Sequence, residues 1–251
     1  MKQVLMQGLK RLFSRLGYEV HKTSTRRTMA QVLAHLSGLG FQPKTLIDVG
    51  VATGTFPLYE AFPQARPFLI EPLKEFEEDL RKICTRYQGQ YVLTGVGKTE
   101  GRRRMNVHAD LSASSLYQEA DGKKVDGVAR EIPMTTVDRL AAQHHLPGPY
   151  LLKIDVQGAE LDVLAGAHHI LEQTELILLE ISFFQFYEQG PQFYEVITTM
   201  KNRGFVAYDF FGGHNRPYDG ALAQIDVAFV KEFGLFRSNH FYATDKQREQ
   251  M

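Results

Sequence analysis

The sequence predicts a doubly wound α/β fold on a mostly parallel seven-stranded sheet, with N-terminal helices and a small inserted β-ribbon. Three observations carry that expectation. Apolar runs of strand length alternate with helical patterns from Thr45 to Val230. The run TLIDV, residues 45–49, breaks into the small-residue turn GVATG, residues 50–54, as a buried strand does at the carboxyl edge of such a sheet. The next apolar run, PFLIE at 67–71, ends on Glu71, where the neighbouring parallel strand would end. Ligands in these sheets lie beyond the carboxyl ends of the strands, so those ends are where candidate residues are sought.

Taken in order, MKQVLMQGLKRLFSRLGYEV interleaves basic and apolar residues, which predicts an amphipathic docking helix over 3–16 and leaves room for weak peripheral membrane contact. No apolar run is long enough to span a membrane. A second helix follows Thr25 through Met29, Val32, Leu33 and Leu36 and stops at Gly38 and Gly40. After the strand at 45–49, Pro57 sits in the first turn of a short helix, where its missing N–H costs little. Residues 73–87 form a helix with Glu75, Glu77, Glu78 and Asp79 near its positive end and Arg81, Lys82 and Arg86 later. Cys84 shares the spacing of Phe76, Leu80, Ile83 and Tyr87 and reads as a buried helix-face thiol. Residues 91–95 are the third strand.

Residues 101–134 interrupt the alternation and read as a ribbon inserted over the sheet edge. Thr135 or Thr136 caps a short helix through Val137, Leu140 and Ala141. The pattern resumes with a strand at 150–154, a helix at 159–171, the apolar strand 175–181, a helix at 192–202, and strands at 205–210 and 223–230. Asp226 inside the last strand suits a wet edge or face. Residues 1–44 thus form a helical extension and 45–251 the main domain.

Composition narrows the classes. The 29 basic and 29 acidic side chains cancel, so no global field favours nucleic acid or an anionic membrane. A single cysteine allows no internal disulfide, which fits a reducing, cytoplasmic setting.

The loop after the first strand decides the ligand class. A dinucleotide motif G-x-G-x-x-G starting at Gly50 would need glycines where Ala52 and Thr55 stand. The acid-x-Gly-x-small-x-Gly order of Asp48, Gly50, Ala52 and Gly54 instead resembles the cofactor loop of S-adenosylmethionine (SAM) methyltransferases, with Glu71 and Pro72 placed to receive the ribose hydroxyls. IDVGVATG at 47–54, IEP at 70–72, SL at 115–116, TTVDRL at 135–140, LKIDVQGAELDVLAGA at 152–167, ILLEIS at 177–182 and RPYDGALAQIDVAFV at 216–230 together resemble the FkbM-type methyltransferases. That resemblance covers roughly residues 45–230 and implies a class I, Rossmann-like SAM-dependent enzyme acting mostly as an O-methyltransferase. Its cofactor residues would be Asp48, Gly50, Ala52, Gly54, Glu71, Pro72, Val96, Gly97 and Asp155. The family usually carries Ala-Asn where this chain has Val51 and Ala52.

Methyl transfer to a neutral hydroxyl needs an aligned acceptor and a group that takes its proton. Asp155, with Lys153 two residues earlier on the same strand face, ends the fourth strand; Glu180 ends the fifth; His214 follows two glycines in the loop after the strand at 205–210. These four are the catalytic candidates. Glu160, early in the following helix, serves equally as a dipole partner. A divalent metal is compatible with Asp155 and Glu180, but with no third ligand evident it is not favoured. The aromatic run SFFQFYEQGP at 182–191 and Arg216, Asn215 and Asp219 suit a sugar-like or polyol acceptor. FkbM-type enzymes are similar in methylating hydroxyls of glycans and secondary metabolites, whereas nucleic acid is disfavoured as a partner. The alternative is a catalytically silent SAM-fold module for ligand binding or interaction, motivated by Ala52.

Overall fold

A computed structural model describes residues 12–17, 26–120 and 127–249. The expected docking helix over 3–16 lies outside the described residues as far as residue 11; residues 12–15 are helical, and Leu12, Phe13 and Leu16 are exposed instead of docked.

Seven strands form the main sheet: β1 (Thr45–Val49), β2 (Arg66–Glu71), β3 (Gln90–Leu93), β7 (Tyr150–Ile154), β8 (Thr174–Ser182), β9 (Phe205–Asn215) and β10 (Leu222–Lys231), in the order β3-β2-β1-β7-β8-β10-β9. β10 alone runs antiparallel to both neighbours, slotted between β8 and β9. The last strand is therefore internal, not an edge, and Asp226 faces Glu180 of β8 across the pair. β9 is the edge and is longer than the sequence suggests, taking in His214, which was expected in a loop.

Alternate side chains of each buried strand serve the two faces. Ile47, Leu152, Ile154, Ile177 and Leu179 pack with α4 (Val137–Gln143), α5 (Glu160–Ala165), α6 (His168–Glu172) and α7 (Phe193–Asn202). On the opposite face, Leu46, Leu69, Leu151, Leu176 and Leu178 pack with α1 (Met29–Gly38), α2 (Phe56–Ala61) and α3 (Glu77–Tyr87). Thr28 caps α1 in a reciprocal box with Gln31, and Val32, Leu33 and Leu36 are fully buried. Helix α1 is thus part of the core. Cys84 on α3 is half-buried, and burial pushes its thiol up to about 11.

Three local expectations change. The helix expected from residue 73 opens as a 3₁₀ turn, Lys74–Phe76, before α3. The helix expected over 159–171 is split into α5 and α6 at Gly166, where a Cβ would lie 2.1 Å from the Gly97 carbonyl oxygen. The third strand stops at Leu93, and Gly95–Val96 passes to a second sheet as β4.

That second sheet contains the inserted ribbon. It has the order β4-β6-β5, with β5 (Gly101–Val107) antiparallel to β6 (Val128–Thr135). Met105, Val107, Ile132 and Met134 turn inward onto Leu73 and Phe76, so the ribbon roofs the carboxyl end of β2. Beyond it, residues 118–120 are joined to the 186–188 turn by Glu188 N–H to Gln118 O (2.9 Å) and Ala120 N–H to Phe186 O (2.8 Å).

Candidate active site

A cavity of about 320 Å³ opens at the carboxyl ends of β1, β2 and β7, beneath the ribbon. Its floor is the turn after β1. Gly50 has φ +74°, and a Cβ there would lie 1.8 Å from the carbonyl oxygen of Asp155, so only glycine lets this turn cross the end of β7. Gly54 has φ +114°, and a Cβ there would lie 2.6 Å from Ile83 Cδ1 of α3. Ala52 lies between them at φ +45°, a left-handed conformation unusual for alanine. Its amide donates to Glu71 Oε2 (3.0 Å) while the amide of Leu73 donates to Oε1 (2.9 Å). Burial raises the proton affinity of Glu71, and the two amides and Lys153 offset that only in part.

Of the residues expected to hold the cofactor, Gly50, Ala52, Gly54, Glu71, Pro72, Val96 and Asp155 line this cavity. Gly97 does not: it packs against Met134 and supports Gly166 from behind. Asp48 lies wholly buried below the floor. Its Oδ2 accepts from the Tyr59 hydroxyl at 2.5 Å, and its Oδ1 is 3.4 Å from Lys153 Nζ.

Lys153 occupies the centre of the floor. Its ammonium donates to the Gly50 carbonyl (3.1 Å) and stands 3.3 Å from Asp155 Oδ2 as well as near Asp48. Burial opposes the charge, but Asp155 and Asp48 outweigh it and hold Lys153 above its ordinary pKa. Lys153 thus bridges the glycine turn and two carboxylates.

Next to it is a second polar group. Gln157, at φ +55°, donates through Nε2 to Asp155 Oδ1 (3.0 Å) and Glu180 Oε2 (3.3 Å), and Gln224 of β10 donates to the same Glu180 oxygen (2.8 Å). Burial, then Asp155, Asp226 and Glu160, lift Glu180 well above the ordinary carboxylate range. Asp226 is raised to about 6 by burial and Asp155. Glu160, also buried, accepts the amides of Gly158 (2.9 Å) and Val156 (3.4 Å) and is raised to about 7, burial outweighing those bonds. It caps the 155–158 turn from within.

His214 is exposed on β9, and neither His214 nor Glu180 is among the residues lining the cavity. The structure brings together Asp155, Lys153 and Glu180 and leaves His214 apart. Sequence reasoning passed over Gln157 and Gln224, which stood inside the noticed strings DVQG and ALAQIDVAFV, because single polar residues give no periodic signal; Tyr187 was noticed only as part of the aromatic run. Among the described residues no group of three or more His, Cys, Asp or Glu is arranged to hold a metal ion.

Residues 48–207 match the methyltransferase FkbM domain model. The chain belongs to the FkbM methyltransferase family. Over those residues it carries a methyltransferase domain. A curated relative, the AMB antimetabolite synthetase AmbE of Pseudomonas aeruginosa, is 29% identical over 175 residues. The match takes in 54% of this FkbM chain but only 8% of AmbE's length. Among solved structures, the magnesium protoporphyrin IX methyltransferase ChlM of Synechocystis with bound SAM is 13% identical, with 81% of this chain and 77% of that one covered and a TM-score of 0.45. Aeropyrum pernix fibrillarin with bound SAM is 15% identical, with 78% and 73% covered and a TM-score of 0.42.

Proposed function

We propose that this methyltransferase transfers the SAM methyl group to a hydroxyl of a small polyhydroxylated, glycan or secondary-metabolite acceptor, with Glu180 taking the hydroxyl proton. The observation that carries this reading is the half-buried Glu180, one side-chain amide away from cavity-lining Asp155 and raised in proton affinity. A carboxylate of ordinary pKa is too weak a base for an alcohol, whereas one raised toward neutrality is matched to the task.

SAM supplies an electrophilic methyl on sulfur. The chain's residues fit such a ligand: Gly50 and Gly54 keep the floor free of side chains, and Glu71 presents a carboxylate with lone pairs left over after its two amide bonds. Met105, Leu111 and Ile132 of the roof supply apolar surface for a base. In this reading Asp155, fixed by Lys153 and Gln157, orients the ligands and does not itself take the proton. Arg216 lies 3.6 Å over the Phe184 ring beside the 182–191 run, a flat face with a polar rim suited to a sugar. The antimetabolite-synthetase name of AmbE agrees with a secondary-metabolite acceptor.

The experiment is transfer from methyl-labelled SAM to a panel of sugars, polyols and hydroxylated metabolites, run beside Glu180→Gln. A methyl ether formed by the wild type and lost in E180Q is expected. Methylation confined to nitrogen would overturn the reading, and tight SAM binding without transfer to any acceptor would favour the silent module instead.

A further inference from the structure

We infer that Gln157 is a positioning residue that holds the carboxylates of Asp155 and Glu180 together, and that Tyr187 fixes which way its amide points. The inference deepens the reading of Glu180 as proton acceptor and takes its importance from it. The two carboxylates end adjacent parallel strands and repel one another, and Gln157 Nε2 donates to both, at 3.0 and 3.3 Å. An amide turned by half a rotation would aim its oxygen at both acids. The Tyr187 hydroxyl prevents that turn by donating to Gln157 Oε1 at 3.1 Å. Burial, followed by Glu119 and the acids of the site, raises the Tyr187 phenol, so it stays a donor across the working pH range.

The backbone of Gln157 is held as well. Ser115 Oγ of the roof segment donates to its carbonyl oxygen at 2.6 Å, and Gly158 follows at φ +97° with no room for a Cβ beside the Tyr187 ring. Tyr187 is itself paired to the roof through a bridge with Glu119. Gln157 is therefore aimed from two separate segments, the ribbon and the turn after β8. The groups facing Glu180 are Asp155 just after β7, Asp226 and Gln224 from β10, Glu160 from α5, and Gln157 and Tyr187. Of the neutral donors among them, Gln224 reaches Glu180 alone and Tyr187 donates to Gln157, while Gln157 links Glu180 to Asp155.

The test needs neither acceptor nor SAM. Carboxyl-¹³C titration by NMR of the full chain follows Glu180, whose signal is assigned by its absence in E180Q, in wild type, Gln157→Asn and Tyr187→Phe. Asparagine tolerates the left-handed backbone but is too short to span both acids. The expected result is an upward move of the Glu180 midpoint by about one pH unit in Q157N, the size of one hydrogen bond to a charged group, and a smaller upward move in Y187F at an unchanged melting temperature. A midpoint unmoved in Y187F, which removes one oxygen only and keeps the fold, would overturn the orienting role; one unmoved in a folded Q157N would overturn the inference. Either result leaves methyl transfer standing, whereas an E180Q enzyme that still methylates a hydroxyl would remove Glu180 as base without touching these contacts.

Discussion

The backbone N–H of Ala52 points at Glu71 Oε2, 3.0 Å away, and fastens the glycine turn after β1 to the end of β2. The fastening is made by main chain, so an asparagine side chain at position 52 is not needed for it. What alanine lacks there is conformational ease, since φ is +45°.

Ala52→Asn is accordingly expected to stabilise the protein by about 0.5–1 kcal/mol, because asparagine enters the left-handed region more readily. Thermal unfolding should show a rise of a few degrees with SAM affinity kept or improved. A fall in melting temperature would mean that the Ala52 methyl packs better against Leu73 and its neighbours than the turn is strained.

Glu71→Gln should weaken SAM binding about tenfold, the scale of one charge-assisted hydrogen bond, as read by isothermal titration calorimetry. Glu71→Ala should in addition lower stability, since it strands two amides, Ala52 and Leu73, at about 1–3 kcal/mol each. Equal SAM affinities for E71Q and wild type would take Glu71 out of the cofactor site.

Lys153→Met is expected to cost about 3–5 kcal/mol, because Asp48 is then a fully buried carboxylate without its cation. Adding Asp48→Asn should recover a large part of the loss. Urea denaturation of the two single variants and the double variant measures the coupling, and additive losses would show that the two side chains do not depend on each other.

Glu160 makes stability depend on pH in an unusual direction. Its folded-state pKa is about 7 against an ordinary value of 4.5, so between those values the folded chain holds a proton that the unfolded chain has released. Stability from this group is complete below pH 4.5 and declines as pH rises to 7, by a total of ~3 kcal/mol. Glu160→Gln keeps an oxygen for the amides of Gly158 and Val156 and removes the charge. The gap between E160Q and wild type in chemical denaturation should therefore widen in favour of E160Q from pH 5 to pH 8; a constant gap would show that Glu160 stays ionised.

Most of the sheet was legible because buried parallel strands are unbroken apolar runs and the helices between them carry 3.6-residue periodicity and recognisable caps, as at Thr136. Which strands pair is not a local property. Nothing in AQIDVAFV says that β10 lies between β8 and β9, so the reading of Asp226 left edge and face open and did not find Glu180 opposite it. The break at Gly166 was hidden for the same reason, since it answers to the Gly97 carbonyl across the fold. In the site, glycines and strand-end acids were visible by type and spacing. The contacts of Lys153 were not, because they depend on Asp48 and Asp155 converging from two strands, and neither was the exposure of His214 on the edge strand β9.

The strand order also divides the molecule's labour. Glycine turn and Glu71 belong to β1 and β2, Glu180 and Gln224 to β8 and β10, and β7 stands between with Lys153 turned toward the first group and the Asp155–Gln157 turn toward the second. Substitutions confined to opposite sides of β7 share no hydrogen-bond partner in the site, so wherever they leave Glu71 and Asp226, which both feel Lys153, unchanged, their free-energy effects should sum. Changes on the β8–β10 side can accumulate without disturbing the β1–β2 side, and β7 with the turn after it is the stretch least free to drift.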